Sequence, residues 1–139
     1  MTVREPPTLS ELLRNVVDLE GSDLHLAIGV PPQVRVHGRL RRLEMPPLTS
    51  EDTKWLSYSA CSDVQRTRFE EVLELDFSFS VPEAGRFRCH MFHQRGAVGA
   101  TYRLIPDRVR TIAELGLPPI VAELGERPHG LVLVTGPTG

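Results

Sequence analysis

Apolar residues recur along the chain in two periods, and the change from one to the other divides the sequence into helices and strands. Leu9, Leu12, Leu13, Val16 and Val17 fall on one stripe of a 3.6-residue helix. Thr8 followed by Glu11 supplies the capping box that starts it, and Gly21 is placed to end it. The same spacing recurs at Thr49–Asp52, Ser62–Gln65 and Thr111–Glu114, so the sequence predicts three further helix starts. Trp55, Leu56 and Tyr58 mark a shorter second helix, and a third runs from about Ser62 to Val72.

Period two takes over elsewhere. Leu73, Leu75, Phe77, Phe79 and Val81 alternate with Glu74, Asp76, Ser78 and Ser80, as in a half-buried strand. Phe87, Cys89 and Met91 alternate with Arg86, Arg88 and His90, and Val98, Ala100, Tyr102 and Leu104 with Gly99, Thr101 and Arg103. Two earlier strands place Leu24, Leu26 and Ile28 opposite Asp23 and His25, and Val34 and Val36 opposite Arg35 and His37. Pro82–Gly85 and Gln94–Gly96 are short enough that the strands they join must be antiparallel. The predicted fold is therefore α+β: an antiparallel sheet of about five or six strands with helices on its apolar face, over residues 1–106.

Beyond Pro106 the pattern changes again. Residues 107–128 read as a packed connector with two short helices, one from Thr111 stopped near Gly116 and one over Ile120–Leu124 stopped by Gly125. Residues 129–139 hold a continuous apolar run, Leu131–Val134, expected of a strand buried on both faces of a parallel sheet. It leads directly into Gly136-Pro137-Thr138-Gly139. A phosphate-binding loop needs a glycine, four residues, then Gly-Lys-Ser/Thr between a strand and a helix. The first four positions are in place, so Gly136, Pro137, Thr138 and Gly139 are candidate nucleotide-binding residues. The second glycine, the lysine and the hydroxyl residue are expected beyond residue 139.

Composition limits the remaining possibilities. Sixteen basic against eighteen acidic residues give a net charge of −2, without the basic footprint that nucleic-acid binding requires. No apolar run reaches the ~20 residues that cross a bilayer, and the first residues lack the apolar stretch of a signal peptide. Cys61 and Cys89 are too few for a disulfide framework or a cysteine zinc site, and read as reduced thiols of a cytoplasmic protein. His90, His93 and His129 show no metal-ligand arrangement with acidic partners. Trp55 reads as core, or as a packing surface against a neighbouring subunit. His25 reads as a structural histidine, or as one that orients a neighbour or touches nucleotide. The polar sheet face gathers Arg86, Arg88, His90, Arg103, Arg35, His37 and His25, with Asp23, Glu74 and Asp76 to offset part of that charge.

Several segments in order resemble the type IV pilus retraction ATPases, the PilT-like family of the type II/IV secretion ATPases. They are Ser22-Asp-Leu-His-Leu26, Gly29-x-Pro31-Pro32-x-x-Arg35-x-x-Gly38, Asp76-Phe-Ser78, Arg86-Phe-Arg88, Phe92-x-Gln94-Arg95, Arg103-x-Ile105-Pro106, Leu115-Gly-Leu-Pro118 and Gly130–Gly139. The resemblance implies a PAS-like N-terminal domain joined to a RecA-like ATPase core that is cut off within its phosphate loop. It implies a homohexamer with ATP and magnesium between the domains, acting from the cytoplasm on an inner-membrane pilus platform protein, without membrane insertion. It further implies that arginines of the N-terminal domain reach the phosphates. Arg88, Arg95 and Arg103 are the candidates, with Arg86 behind them, and no metal is assigned to this domain. Without the loop lysine this fragment is expected to bind no cofactor and to be inactive alone. The competing readings are a pilus-extension or type II secretion ATPase, and a freestanding PAS-like sensor.

Overall fold

The computed structural model describes residues 7–136. They fall into two units, one ending at Pro106 and one beginning at Asp107. The first unit runs α1 (Leu9–Asp18), β1 (Asp23–Leu26), β2 (Gln33–Val36), β3 (Arg39–Arg42), α2 (Ser50–Tyr58), α3 (Asp63–Val72), β4 (Glu74–Val81), β5 (Gly85–Gln94) and β6 (Ala97–Ile105). All three helices open on a reciprocal capping box, at Thr8–Glu11, Thr49–Asp52 and Ser62–Gln65, as the sequence spacing requires. The α+β reading holds: one antiparallel six-stranded sheet has the order β3-β2-β1-β6-β5-β4.

Helix α1 stops at Asp18, before Gly21, because the chain must turn sharply into the sheet. A Cβ on Gly21 would lie 2.5 Å from Val34 Cγ1 and 3.0 Å from the Arg35 carbonyl, so only glycine fits between α1 and β2. Strand β3, Arg-Leu-Arg-Arg, has no signal in the sequence pattern. All four residues are exposed, so no apolar alternation marks it, and only its pairing with β2 makes it a strand. Two-residue turns with positive φ throughout make the β2–β3 and β5–β6 hairpins: His37 (47°) with Gly38 (77°), and Arg95 (52°) with Gly96 (77°).

Register determines how the core assembles. Val34, Leu24, Tyr102, Cys89 and Phe77 stand side by side across β2, β1, β6, β5 and β4. The first four are fully buried, and Leu12, Leu13 and Val16 of α1, Leu56 of α2 and Phe69 of α3 complete the core. Phe79 packs edge-on to Tyr102 at 6.1 Å. Cys61 and Cys89 are both buried free thiols, and burial pushes both up from the ordinary thiol range. One expectation fails here: Ile28 lies beyond the end of β1 in a turn and is exposed. Trp55 is half-exposed, so of its two readings the core one is excluded and the packing surface is left. On α2 it is Thr53, Leu56 and Ser57 that face inward, because small side chains let the helix approach the sheet closely.

In the second unit α4 covers Ile120–Gly125, as predicted. The Thr111–Glu114 capping box forms, but it opens a single turn that Gly116 (φ 65°) closes, so no helix follows. The apolar side chains of Leu115, Leu117 and Ile120 are about half-exposed. Leu131–Val134 forms no strand, and its side chains are exposed. A strand of a parallel sheet exists only through hydrogen bonds to its neighbours, and the described residues supply none to this segment. Gly136 is exposed and without regular structure, whereas Pro137, Thr138 and Gly139 lie outside the described residues.

Candidate functional site

The face of the sheet opposite the core carries its charge in rows, and the pairing register sets each row. Arg35, Asp23, Arg103, Arg88 and Ser78 are successive cross-strand partners on β2, β1, β6, β5 and β4. The next row is Gln33, His25, Thr101, His90 and Asp76. Asp23 is the pivot of the first row. Its carboxylate is nearly buried, 3.2 Å from Arg35 Nε and 3.0 Å from Arg103 Nε, and Ser22 Oγ donates to it at 2.8 Å. Burial alone would raise the Asp23 pKa. The bonds from Ser22 and Arg103 outweigh it and hold the carboxyl below its ordinary range, so it is ionised at neutral pH.

Arg103 is therefore fixed at its Nε while most of its side chain stays in solvent. Arg88 stands directly opposite, two-thirds exposed, with Asp76 3.5 Å away as its carboxylate partner. Two guanidinium groups on adjacent strands repel each other unless an anion lies between or above them. Arg86 donates to Ser78 Oγ at 2.8 Å, beside this pair. Arg95 is not part of it. It occupies the β5–β6 turn, seven residues from Arg88, about 23 Å away at the usual strand rise. His37 likewise belongs to a turn and not to the face.

One grouping corrects the sequence reading. His90 does have acidic partners: its Nδ1 lies 3.2 Å from Asp76 and its Nε2 3.7 Å from Glu74. The three form a cluster spaced closely enough to hold a metal ion. Asp76 and His90 are fourteen residues apart in sequence, and only the β4–β5 register makes them neighbours. The two ring nitrogens face different carboxylates, and Arg88 also approaches Asp76, so the cluster is already compensated internally.

His25 is half-buried, and its Nε2 has no hydrogen-bond partner. Burial lowers its pKa; Asp23 opposes the shift, while Arg35 and Arg103 add to it. Both Asp23 and His25 are thus depressed relative to the unfolded chain, and each favours folding at higher pH. Stability should be complete above about pH 6.5, decline below it as the unfolded His25 binds a proton, and decline again below about pH 4 through Asp23. Urea midpoints measured from pH 8 to 3 should show both steps, and His25→Gln should remove only the upper one. An unchanged upper step in that variant would show that other groups produce it.

Fold and face together define a class: a helix-backed antiparallel domain that presents an ordered row of arginines. No family profile matches the chain. It is 47% identical over 131 residues to the type IV pilus retraction ATPase PilT of Pseudomonas aeruginosa, covering 94% of this chain and 38% of that protein. It is 39% identical to the type IV pilus ATPase PilU of the same organism, over 93% of this chain and 34% of that protein. A crystal structure of the retraction motor PilT with bound ADP superposes with a TM-score of 0.76 at 44% identity, over 96% of this chain and 39% of the other. The chain belongs to the PilT-like family of pilus retraction ATPases. It spans about two fifths of the length of these relatives.

Proposed function

We propose that this chain is the N-terminal domain of a hexameric ATPase that powers type IV pilus retraction, and that its arginine row serves the nucleotide. The observation that carries this reading is the Arg103–Arg88 pair. One guanidinium is fixed by a nearly buried carboxylate, the other is held loosely beside it, and both are exposed on an open sheet face. Such a pair suits the oxygens of a transferring phosphoryl group, where fixed positive charge lowers the barrier. The bound ADP of the PilT structure supports a nucleotide as the anion.

The residues present fit this role by charge and geometry. Arg103 cannot swing freely, because Asp23 holds its Nε, so its remaining N–H groups are already oriented. Arg88 has an exposed partner in Asp76 that it can exchange for a phosphate. As the start of a phosphate loop, Gly136, Pro137, Thr138 and Gly139 would bind phosphate through backbone N–H groups, with magnesium supplied by the nucleotide complex. On this reading Arg95 serves a contact separate from the Arg88–Arg103 pair. The partners are the RecA-like core, neighbouring subunits and an inner-membrane pilus platform protein, and the protein works in the cytoplasm. The described residues include no helix long and apolar enough to cross a membrane.

The test is ATP hydrolysis by a longer protein that carries this domain and the complete phosphate loop, beside this chain alone. The longer protein is expected to turn over ATP, and this chain is not. An intact longer protein without activity would leave the arginine row as surface charge.

A further inference from the structure

On the helical side of the domain, α1, α2 and the β3–α2 loop enclose a groove of about 720 Å³. Its floor is apolar, formed by Leu43, Met45, Leu48 and Leu56, and Trp55 stands half-exposed at its edge. That volume lies within the ordinary range for binding pockets, roughly 300–1,000 Å³. Four carboxylates line it, Glu11, Asp18, Glu44 and Asp52, and among the described residues no lysine, arginine or histidine does.

These acids are not equivalent. Glu11 and Asp52 are occupied in the capping boxes of α1 and α2. Asp18 is the last residue of α1, where the helix carries its negative end and a base is the favourable choice, yet the last turn has none. Glu44 lies in the loop after β3. Neither Asp18 nor Glu44 has an ion-pair partner among the described residues. The groove thus combines exposed apolar surface with negative charge that the domain itself leaves unmatched.

From this charge complementarity we infer that the groove is a docking site for a basic, apolar-anchored segment of a partner protein. An aliphatic or aromatic side chain would pack beside Trp55 and Met45. Flanking lysines or arginines would meet Asp18 and Glu44. Apolar burial supplies the affinity, and the acidic lining selects against acidic segments and speeds encounter with basic ones.

Trp55 is the only tryptophan in the chain, so its fluorescence reports on the groove directly. The probe is a short amphipathic peptide of leucine and lysine, compared with its leucine and glutamate counterpart. With this chain, the lysine peptide should give a saturable blue shift of the emission, and the glutamate peptide should give none. The double variant Asp18→Asn, Glu44→Gln removes an acid from a helix C-terminus and should stay folded by circular dichroism. It should bind the lysine peptide about tenfold more weakly, on the order of 1.4 kcal/mol. Equal response to both peptides, unchanged affinity in the double variant, or no response at all would each overturn the inference. A blue shift that appears without peptide as the chain is concentrated would assign the groove to a second copy instead.

Discussion

Replacing Arg88 by alanine in the longer ATPase should lower its turnover by about 10²–10³-fold, the usual effect of losing a cation that meets transition-state charge. Arg88 gives the cleanest reading of the three candidate arginines. Its carboxylate partner is Asp76 at 3.5 Å, and both side chains are about half-exposed or more. Exposed pairs of this kind contribute about 0–1 kcal/mol, so the fold should be almost unaffected. Arg88→Lys should recover only part of the rate, because an ammonium keeps the charge but loses the planar fork. Arg103→Ala should also slow turnover, but with a loss of stability, since Asp23 would lose one of its two cations. Arg95→Ala should change the rate least, given its place in the β5–β6 turn. The measurement is steady-state hydrolysis beside a thermal melt of each variant. Normal turnover by a folded Arg88→Ala protein would remove this arginine from the phosphate site.

Phe87→Ala should destabilise the domain by about 3–5 kcal/mol, the range for emptying a buried aromatic site. Phe87 is fully buried on β5, opposite Leu104 on one side and Phe79 on the other. Its ring lies 6.4 Å from that of Phe79, which in turn packs against Tyr102. The cavity would therefore open on the inward face of a continuous sheet, whose hydrogen-bonded ladders hold the backbone in place. For a unit of this size each kcal/mol shifts the melting temperature by about 4–8 °C, so the variant should melt some 12 °C lower or more. Phe87→Leu should cost much less, because it refills most of the volume. A melting point within a few degrees of the parent for Phe87→Ala would mean that the site relaxes around the loss.

Sequence and structure agree most closely where a local signal decides. The three capping boxes of the first unit stand where a hydroxyl residue and its partner three positions later put them, because every contact involved lies within one helical turn. The long alternations at 73–81, 87–91 and 98–104 translate into β4, β5 and β6 because alternation is also a local property, except that Leu73 is not in β4 but caps α3 in a left-handed conformation. Strand β3 was not legible, since an edge strand exposed on all sides needs no apolar residues, and here it has one among three arginines. The Thr111 box shows the converse. Its hydrogen bonds form, but a cap only begins a helix, and Gly116 ends this one within a turn.

Chain order was enough to establish the helices of the first unit, the core-facing side of every strand but β3, and the presence of a cationic polar face. Period and capping are properties of neighbouring residues, so chain order is enough to establish them. Only the tertiary structure decided which charges meet. Asp23 and Arg103 are eighty residues apart, yet the β1–β6 register makes them partners, and the β5–β6 register sets Arg88 beside Arg103 and leaves Arg95 at a distant turn. Register is a long-range choice, made by the whole set of inward side chains at once. A slip of one residue would turn every one of them to the wrong face.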